Sequence, residues 1–219
     1  MARITTLLFT CAFSTGIFAA VPPAEDLRLY DIADAASAER IKADIEKLVG
    51  FGTRHSLSET TSETRGIGAA RRWIRDQFEA ISAGCGGCLE LMMIGDTVSG
   101  ETRIPDPHEI VSVIAIQRGM HDPNRMVMMS GDIDSRVSDP MNASGLSPGA
   151  NDNASGMAGV IEAARVLSQY RFSGSVVYAA LAGEEQGLFG GKIVVRYAIE
   201  QGWNLDAVLN NDMIGNIAG

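Results

Sequence analysis

Residues 148–167, PGANDNASGMAGVIEAARVL, decide how the rest of the chain is arranged. The segment opens with residues typical of a turn, and small residues follow at the start of a predicted helix. Larger apolar residues then recur every three or four positions, at Met157, Val160, Ile161, Ala164 and Leu167. A helix with this pattern packs closely against a sheet. Asp152 is therefore expected at the mouth of a tightly packed helix. Either Asp152 or Asn153 is expected to cap that helix, and the alternative for Asp152 is a functional role.

The composition is that of an acidic globular protein. The chain has 219 residues, a net charge of −9 at pH 7 and a pI of about 4.8. This length suits one sizeable α/β domain. Because a phosphate backbone is bound by a basic surface, the charge argues against nucleic acid as a partner.

The N-terminus has the pattern of a secretory signal peptide. Arg3 precedes an apolar run, and small residues end the segment, which spans residues 1–20. We expect cleavage and export, to the periplasm or out of the cell, with no membrane span after cleavage; an uncleaved anchor is the alternative. Residues 21–35 are predicted to form an extended lead-in because Pro22 and Pro23 oppose an early helix, and residues 36–219 to form the domain.

Cys85 and Cys88 remain after signal cleavage, in the sequence Cys-Gly-Gly-Cys. Export favours a small disulfide loop between them. A redox-active pair is the weaker alternative because a strand, not a helix, is predicted to follow. Metal binding by two isolated thiols is weaker still.

Hydrophobic periodicity predicts an alternation of helices and strands. The predicted helices span residues 36–49, 62–81 and 188–201, besides the helix that follows Asp152. The predicted strands span residues 89–95, 109–117, 126–131, 175–182 and 206–211. The last three strands are dense in apolar residues, as expected of strands buried on both faces. The pattern predicts a three-layer α/β/α sandwich with a mostly parallel mixed sheet, and the first two helices are expected to cover that sheet.

Acidic residues follow each of the last three predicted strands. The carboxyl ends of parallel strands share one edge of a sheet, and the helix after Asp152 starts from that edge. Six carboxylates are therefore expected to converge there: Asp132, Asp134, Asp152, Glu184, Glu185 and Asp212. Each of them taken alone is also a common turn or cap residue.

Carboxylates this close cannot all stay ionised without cations. Arg136 is the only basic residue near them in these segments, so the cluster favours divalent metal. Two metal ions about 3.5–4 Å apart, bridged by one carboxylate, form a hydrolytic centre, and Asp152 suits the bridge. Adjacent residues in an extended chain point in opposite directions, so one of Glu184 and Glu185 is expected to bind metal while the other acts as a base.

Four ordered motifs resemble the co-catalytic zinc aminopeptidases of metallopeptidase clan MH, of the bacterial leucyl-aminopeptidase type. They are SGDIDSR at 130–136, PGANDNASG at 148–156, AGEEQG at 182–187 and NDM at 211–213. The resemblance implies a zinc exopeptidase-like fold, a peptide substrate and, in the family, two zinc ions.

The resemblance also implies roles for single residues. Asp152 matches the bridging ligand and Glu184 the general base. Glu185 matches a ligand of one zinc ion, and Asp212 a ligand of the other. Asp134 matches the acid that orients the first metal-binding histidine of the family.

Two departures from the family affect the metal site. Asp132 stands where the family has a histidine, and an aspartate ligand adds charge and favours harder ions. The family's last histidine ligand lies well beyond the strand that precedes Asp212. We expect His55, His108 and His121 to be surface or capped histidines, with His108 and His121 at the opposite edge of the sheet.

These departures lead to the expectation that the sequence is the front part of such a domain, binding metal weakly or at one site. Two rival functions remain open. One is a peptidase-like binding domain that has lost its chemistry, and the other is a glutaminyl cyclase-like acyltransferase.

Overall fold

The computed structural model describes residues 28–216. The predicted signal peptide, residues 1–20, lies outside the described residues. The five strands of the described sheet are β1 Leu89–Val98, β2 His108–Gln117, β3 Asp122–Asp132, β4 Gly174–Leu181 and β5 Asn204–Asn210. Each overlaps a predicted strand, and the ends differ by at most four positions.

The helices are α1 Arg28–Asp34, α2 Ala38–Val49, α3 Gly66–Gly84, α4 Gly156–Leu167 and α5 Phe189–Glu200. A helical turn, Ala150–Ser155, precedes α4 and is interrupted by non-helical backbone at Asp152 and Asn153. The prediction of an extended lead-in through residue 35 is wrong, because residues 28–34 are helical. A proline restricts its own position and the residue before it, so Pro22 and Pro23 do not prevent a helix that begins at Arg28.

The sheet has the strand order β1-β2-β4-β3-β5. Strand β3 pairs in parallel with both β4 and β5, whereas β2 is antiparallel to β1 and β4. The predicted α/β fold with a mixed sheet is confirmed. The three parallel strands are those that carry acids at their carboxyl ends.

Helices cover both faces of the sheet. Helices α3 and α4 pack on one face, and α5 packs on the other. The expectation that the first two long helices both cover the sheet holds for α3 only, because α2 packs mainly on α4 and on the turn before it. The core between these layers is dense in aliphatic side chains, with Phe78 and Tyr178 among its largest buried residues.

The start of α4 lies very close to the ends of two strands. A Cβ atom added to Gly131 of β3 would lie 2.9 Å from the carbonyl carbon of Gly156, and one added to Gly156 would lie 2.1 Å from the Asn211 oxygen. Both glycines are therefore required by close backbone approach. The predicted apolar face of α4 is buried from Met157 to Ala164, and this packing fixes the position of the turn that contains Asp152.

Strand β5 corrects one prediction. Its apolar side chains were expected to be buried on both faces, but Val208 is 54% exposed and Leu209 is 57% exposed. Within residues 28–216, β5 pairs with β3 only and lies at the edge of the sheet. Apolar composition predicts a strand here, but it does not specify which segments cover that strand.

The structure joins the sulfurs of Cys85 and Cys88 in a disulfide, as the spacing and the expected export favour. The bond closes the short loop between α3 and β1. Among the helices in the described part of the chain, none combines the length and the apolar character that a membrane crossing needs.

Candidate metal centre

The structure brings the six predicted carboxylates to one edge of the sheet. Asp132 ends β3, Glu184 and Glu185 follow β4, and Asp212 follows β5. Asp152 lies in the turn before α4, which starts from the same edge. Each of the six interacts electrostatically with at least one other member of the group.

Asp134 holds the turn that carries Glu184 and Glu185. Its carboxylate accepts hydrogen bonds from the backbone N–H groups of Glu184 (3.2 Å) and Glu185 (3.1 Å), and from the Ser56 hydroxyl (2.6 Å). The two glutamates lie in a turn after Gly183, whose φ is +74°, and not in extended chain as predicted. Their different directions therefore come from this turn and not from strand alternation.

Asn153 connects three elements at the site. Its Nδ2 donates to Asp132 Oδ2 (3.1 Å) and to the Asn211 carbonyl (2.9 Å). Its Oδ1 accepts from the N–H of Gly156 (3.1 Å), which caps the start of α4. Since Asn153 provides the cap, the alternative reading of Asp152 as the helix cap is not supported. Among the described residues, no hydrogen bond to the Asp152 carboxylate is found.

A buried arginine supports the loops beneath the site. Arg54 is 1% exposed. Its guanidinium donates to the carbonyls of Leu48 (3.0 Å), Ile133 (2.8 Å), Pro148 (2.7 Å) and Gly149 (2.9 Å). Burial lowers the pKa of Arg54 to about 10, although nearby carboxylates oppose this shift. Arg54 could not be predicted as a site residue, because no local sequence pattern shows which distant carbonyls an arginine will reach.

Two further arginines contact Glu185. Arg136 Nε donates to the Glu185 carboxylate at 2.5 Å. Arg103, in the connection between β1 and β2, donates to the backbone carbonyl of Glu185 at 2.6 Å. Arg103 lies outside the four motifs, and the sequence did not predict it as a site residue. Of the two glutamates after β4, Glu185 is thus the one bound by cationic side chains.

Burial and mutual repulsion disfavour ionised carboxylates at this edge. Burial, with the field of Asp134, raises the pKa of Asp132 to about 7. Burial, with the fields of Asp134 and Glu185, raises the pKa of Glu184 to about 7. Burial also raises the pKa of Glu185 despite the Arg136 guanidinium. The cluster therefore has more negative charge than the neighbouring cations neutralise.

The histidines occupy positions that only partly match the predictions. His121 precedes β3 and lies at the opposite edge, as expected. His108 begins β2, and because β2 is antiparallel to β4 with Val113 opposite Ala180, His108 lies at the carboxylate edge. The prediction for His108 was wrong because periodicity does not reveal strand direction.

His55 is fully buried and not at the surface. Its Nδ1 accepts from the N–H of Leu57 (3.1 Å), so its Nε2 donates to the Pro140 carbonyl (3.0 Å). Both ring nitrogens are therefore engaged in contacts within the protein.

The donor chemistry at the edge fits a divalent cation. Asp132, Asp152, Glu185 and Asp212 offer oxygen donors, which zinc accepts and harder ions prefer. As arranged here, however, no three side chains of His, Cys, Asp or Glu within residues 28–216 lie close enough together to hold a metal ion. Binding would therefore require these carboxylates to draw closer around the ion.

A groove gives access to the carboxylates. A cavity of about 590 Å³ is lined by Asp132, Glu184 and Asp212 together with mainly apolar residues of α5, β3 and β5. The Glu184 carboxylate accepts no hydrogen bond from the described residues. It is thus the member of the glutamate pair that is open to a ligand.

Comparison with known proteins agrees with this arrangement. The sequence model of peptidase family M28 matches residues 112–218, which contain all six carboxylates. These residues form a domain of peptidase family M28. A relative from Pyricularia oryzae, named a probable zinc metalloprotease, is 45% identical over 180 residues, covering 82% of this chain and 36% of that protein. The chain therefore spans little more than a third of that relative's length.

Solved structures show the same fold. LapB from Legionella pneumophila matches with a TM-score of 0.65 and 22% identity, over 86% of this chain and 46% of that one. A glutaminyl cyclase from Porphyromonas gingivalis matches with a TM-score of 0.65 and 17% identity, over 82% of this chain and 62% of that one. At these identities the similarity shows a shared fold.

Proposed function

We propose that this M28 chain belongs to an exported zinc-dependent exopeptidase, an aminopeptidase that hydrolyses the N-terminal peptide bond of its substrate. One observation carries the proposal: carboxylates from three parallel strands and from the turn before α4 converge at one edge of the sheet, beside an open groove. The relatives named as probable zinc metalloproteases support zinc as the metal.

In this proposal Asp152 would bridge two ions, with Asp132 and Asp212 on one side and Glu185 on the other. Bound zinc would supply Lewis acidity, which polarises the scissile carbonyl and activates water. Asp134 holds the backbone of the glutamate turn through two hydrogen bonds. Asn153 holds Asp132 in place by donating to one of its carboxylate oxygens.

Glu184 is proposed as the general base. Its carboxylate lines the groove and accepts no hydrogen bond among the described residues, whereas that of Glu185 is paired with Arg136. Glu184 can therefore accept a proton from the attacking water and return it to the leaving amine. Asp134 fixes the backbone of Glu184, so the Glu184 carboxylate extends from a constrained turn.

The test is hydrolysis of an aminoacyl anilide by the purified chain, with and without a zinc chelator. Turnover that the chelator abolishes and added zinc restores is expected. The N-acetylated form of the same anilide should resist hydrolysis, because an aminopeptidase needs the free amine. Turnover that is indifferent to the chelator would contradict the proposal.

Two other outcomes would identify the rival functions. Loss of ammonia from a peptide with N-terminal glutamine, without peptide-bond hydrolysis, would identify a cyclase. Peptide binding without turnover at saturating zinc would identify a binding domain.

We also propose export, to the periplasm or out of the cell. The signal pattern at residues 1–20 and the Cys85–Cys88 disulfide support it, since disulfides persist in oxidising compartments. N-terminal sequencing of the protein from its native host tests cleavage, and an intact Met1 on the mature protein would contradict it.

A further inference from the structure

A buried arginine without a partner, Arg71, is the basis of a further inference. It lies in the second turn of α3 and is 9% exposed. Its Nε atom is buried and has no hydrogen-bond partner. Among residues 28–216, its guanidinium donates no hydrogen bond and forms no ion pair.

The contrast with Arg54 shows that this state is unusual. Arg54 is also buried, and its guanidinium donates to four backbone carbonyls. Burial of a guanidinium is costly unless its N–H groups are paired. Burial lowers the pKa of Arg71, and the field of Glu109 opposes this shift only in part. The positive charge of Arg71 is therefore not matched by an anion within the described part of the chain.

The direction of α3 brings Arg71 to the carboxylate edge of the sheet. Near the end of the helix, the Ser82 hydroxyl donates to the Leu89 carbonyl at 3.1 Å. Leu89 pairs with Gln117, which lies at the opposite edge. The first turns of α3 therefore lie at the carboxylate edge.

The start of α3 is joined to the candidate site through one loop. The Ile67 N–H donates to the Ser58 hydroxyl at 2.9 Å. In the same loop, the Ser56 hydroxyl donates to Asp134 at 2.6 Å. Because long side chains of a helix point toward its N-terminus, the Arg71 guanidinium is directed toward this loop and the carboxylate edge.

The charges near Arg71 favour a ligand with a single negative charge. The groups that interact electrostatically with Arg71 are Glu109, Arg72 and His108. Glu109 is exposed, and its negative charge repels a dianionic phosphate more than a carboxylate. The planar fork of a guanidinium also matches the two oxygens of a carboxylate.

We infer that Arg71 binds a carboxylate group of a short peptide, on the β2 side of the carboxylate edge. The apolar groove lies on the β5 side of the same edge. A peptide whose amine lies near the acidic cluster can place at Arg71 either its C-terminal carboxylate or that of an acidic side chain. The inference rests on the proposed function for the peptide and adds the class of peptide to it.

Peptide binding to the purified chain tests this inference, with a chelator present so that hydrolysis does not intervene. Calorimetry compares the dipeptide Leu-Ala with Leu-Ala amide, for the C-terminus, and Leu-Glu amide with Leu-Gln amide, for the side chain. In at least one pair, the peptide with the additional carboxylate should bind about tenfold more tightly. General attraction to the acidic cluster cannot produce this preference, because it favours the more positive peptide of each pair.

Substitutions locate the preference. Arg71→Gln should abolish it, and Arg71→Lys, which lacks the planar fork, should retain only part of it. Arg75→Gln is the matched control, because it removes the same charge one turn further along α3, where the side chain is 40% exposed and pairs with Asp76. It should leave the preference within about twofold. Circular dichroism during thermal unfolding checks that each variant folds.

The rival role for Arg71 is that of a structural partner of Glu109 across solvent. In that case Arg71→Gln and Glu109→Gln would lower the melting temperature equally without changing the peptide preference, and the inference would be overturned. The inference predicts instead that Glu109→Gln strengthens binding of the preferred peptide, because it removes a nearby negative charge.

The remaining outcomes separate this inference from the proposed function. Equal binding within both pairs, no binding of any of the four peptides, or a preference that survives Arg71→Gln would overturn the role of Arg71, even if chelator-sensitive turnover is found. A carboxylate preference that Arg71→Gln abolishes would support the Arg71 site, and would do so even if zinc confers no turnover and the hydrolytic function is contradicted.

Discussion

The side-chain amide of Asn153 donates a 3.1 Å hydrogen bond to the carboxylate of Asp132. The same Nδ2 donates to the Asn211 carbonyl after β5, and Oδ1 caps the first residue of α4. Asn153 is 1% exposed. One neutral side chain therefore fixes the end of β3, the end of β5 and the start of α4 relative to one another.

Replacement of Asn153 tests this connection. Asn153→Ala removes the side-chain hydrogen bonds to the half-buried Asn211 carbonyl and to the Gly156 N–H, which should lower the free energy of unfolding by about 1–3 kcal/mol. Urea denaturation of the metal-free chain measures this loss. Asn204→Ala, at the exposed start of β5, is the control and should change stability by less than about 0.5 kcal/mol. Equal losses in both variants would mean that Asn153 does not connect these elements.

Replacement of Glu184 tests its role as a base. Glu184→Gln keeps the size of the side chain but cannot accept a proton, so kcat on an aminoacyl anilide should fall by about 10²–10⁴. Bound zinc, measured by equilibrium dialysis, should match the wild-type value. Glu200→Gln, at the end of α5, should retain full activity. An unchanged rate in Glu184→Gln would exclude this residue as the base.

Arg54 is expected to contribute strongly to the stability of the fold. Its guanidinium bonds to four carbonyls, from α2, from the segment after β3 and from the turn before α4. A lysine ammonium lacks the planar fork that reaches all of them, so Arg54→Lys should cost about 3 kcal/mol in urea denaturation. Arg196→Lys, at a side chain that is 58% exposed, should cost less than about 1 kcal/mol. A loss as small for Arg54→Lys would contradict this role.

A partly buried ion pair away from the site predicts a pH dependence of stability. The Glu162 side chain is 3% exposed, and its carboxylate accepts from Arg40 Nε (2.9 Å) and from the Ser37 N–H (2.7 Å). Burial alone would raise the pKa of Glu162, but these partners outweigh it and lower the pKa below its ordinary value. The stabilisation is therefore present above the unfolded-state pKa and is lost as pH falls through the lower folded-state pKa.

Glu162→Gln should consequently cost about 2 kcal/mol near neutral pH and progressively less toward about pH 3. Urea denaturation across this pH range measures the difference from the wild-type chain. Glu46→Gln is the control, because its pair with Lys42 is 3.8 Å long and at least 68% exposed on each side. Its effect should stay below about 0.5 kcal/mol. A cost for Glu162→Gln that does not shrink at low pH would contradict the lowered pKa.

Much of the site could be predicted because it follows from strand direction. Strands joined by right-handed helical crossovers run parallel, so acids at their carboxyl ends meet at one edge. Asp132, Glu184 and Asp212 satisfy this rule. The position of His108 could not be predicted in the same way, because a strand with the same periodicity can enter the sheet in either direction. The exposure of β5 also depends on packing, which apolar composition does not specify.

By itself, the sequence determined the order of helices and strands from residue 36 onward, the small residues that bring α4 against β3, and the acids placed after three parallel strands. Only the tertiary structure decided which of those acids is paired and with what. Arg136 binds Glu185, Asn153 binds Asp132, and the Glu184 carboxylate faces the groove. The reason is physical. Periodicity shows which face of a single helix or strand is buried. The hydrogen-bond partner of a polar side chain, in contrast, depends on loops that meet only when the layers of the fold pack together.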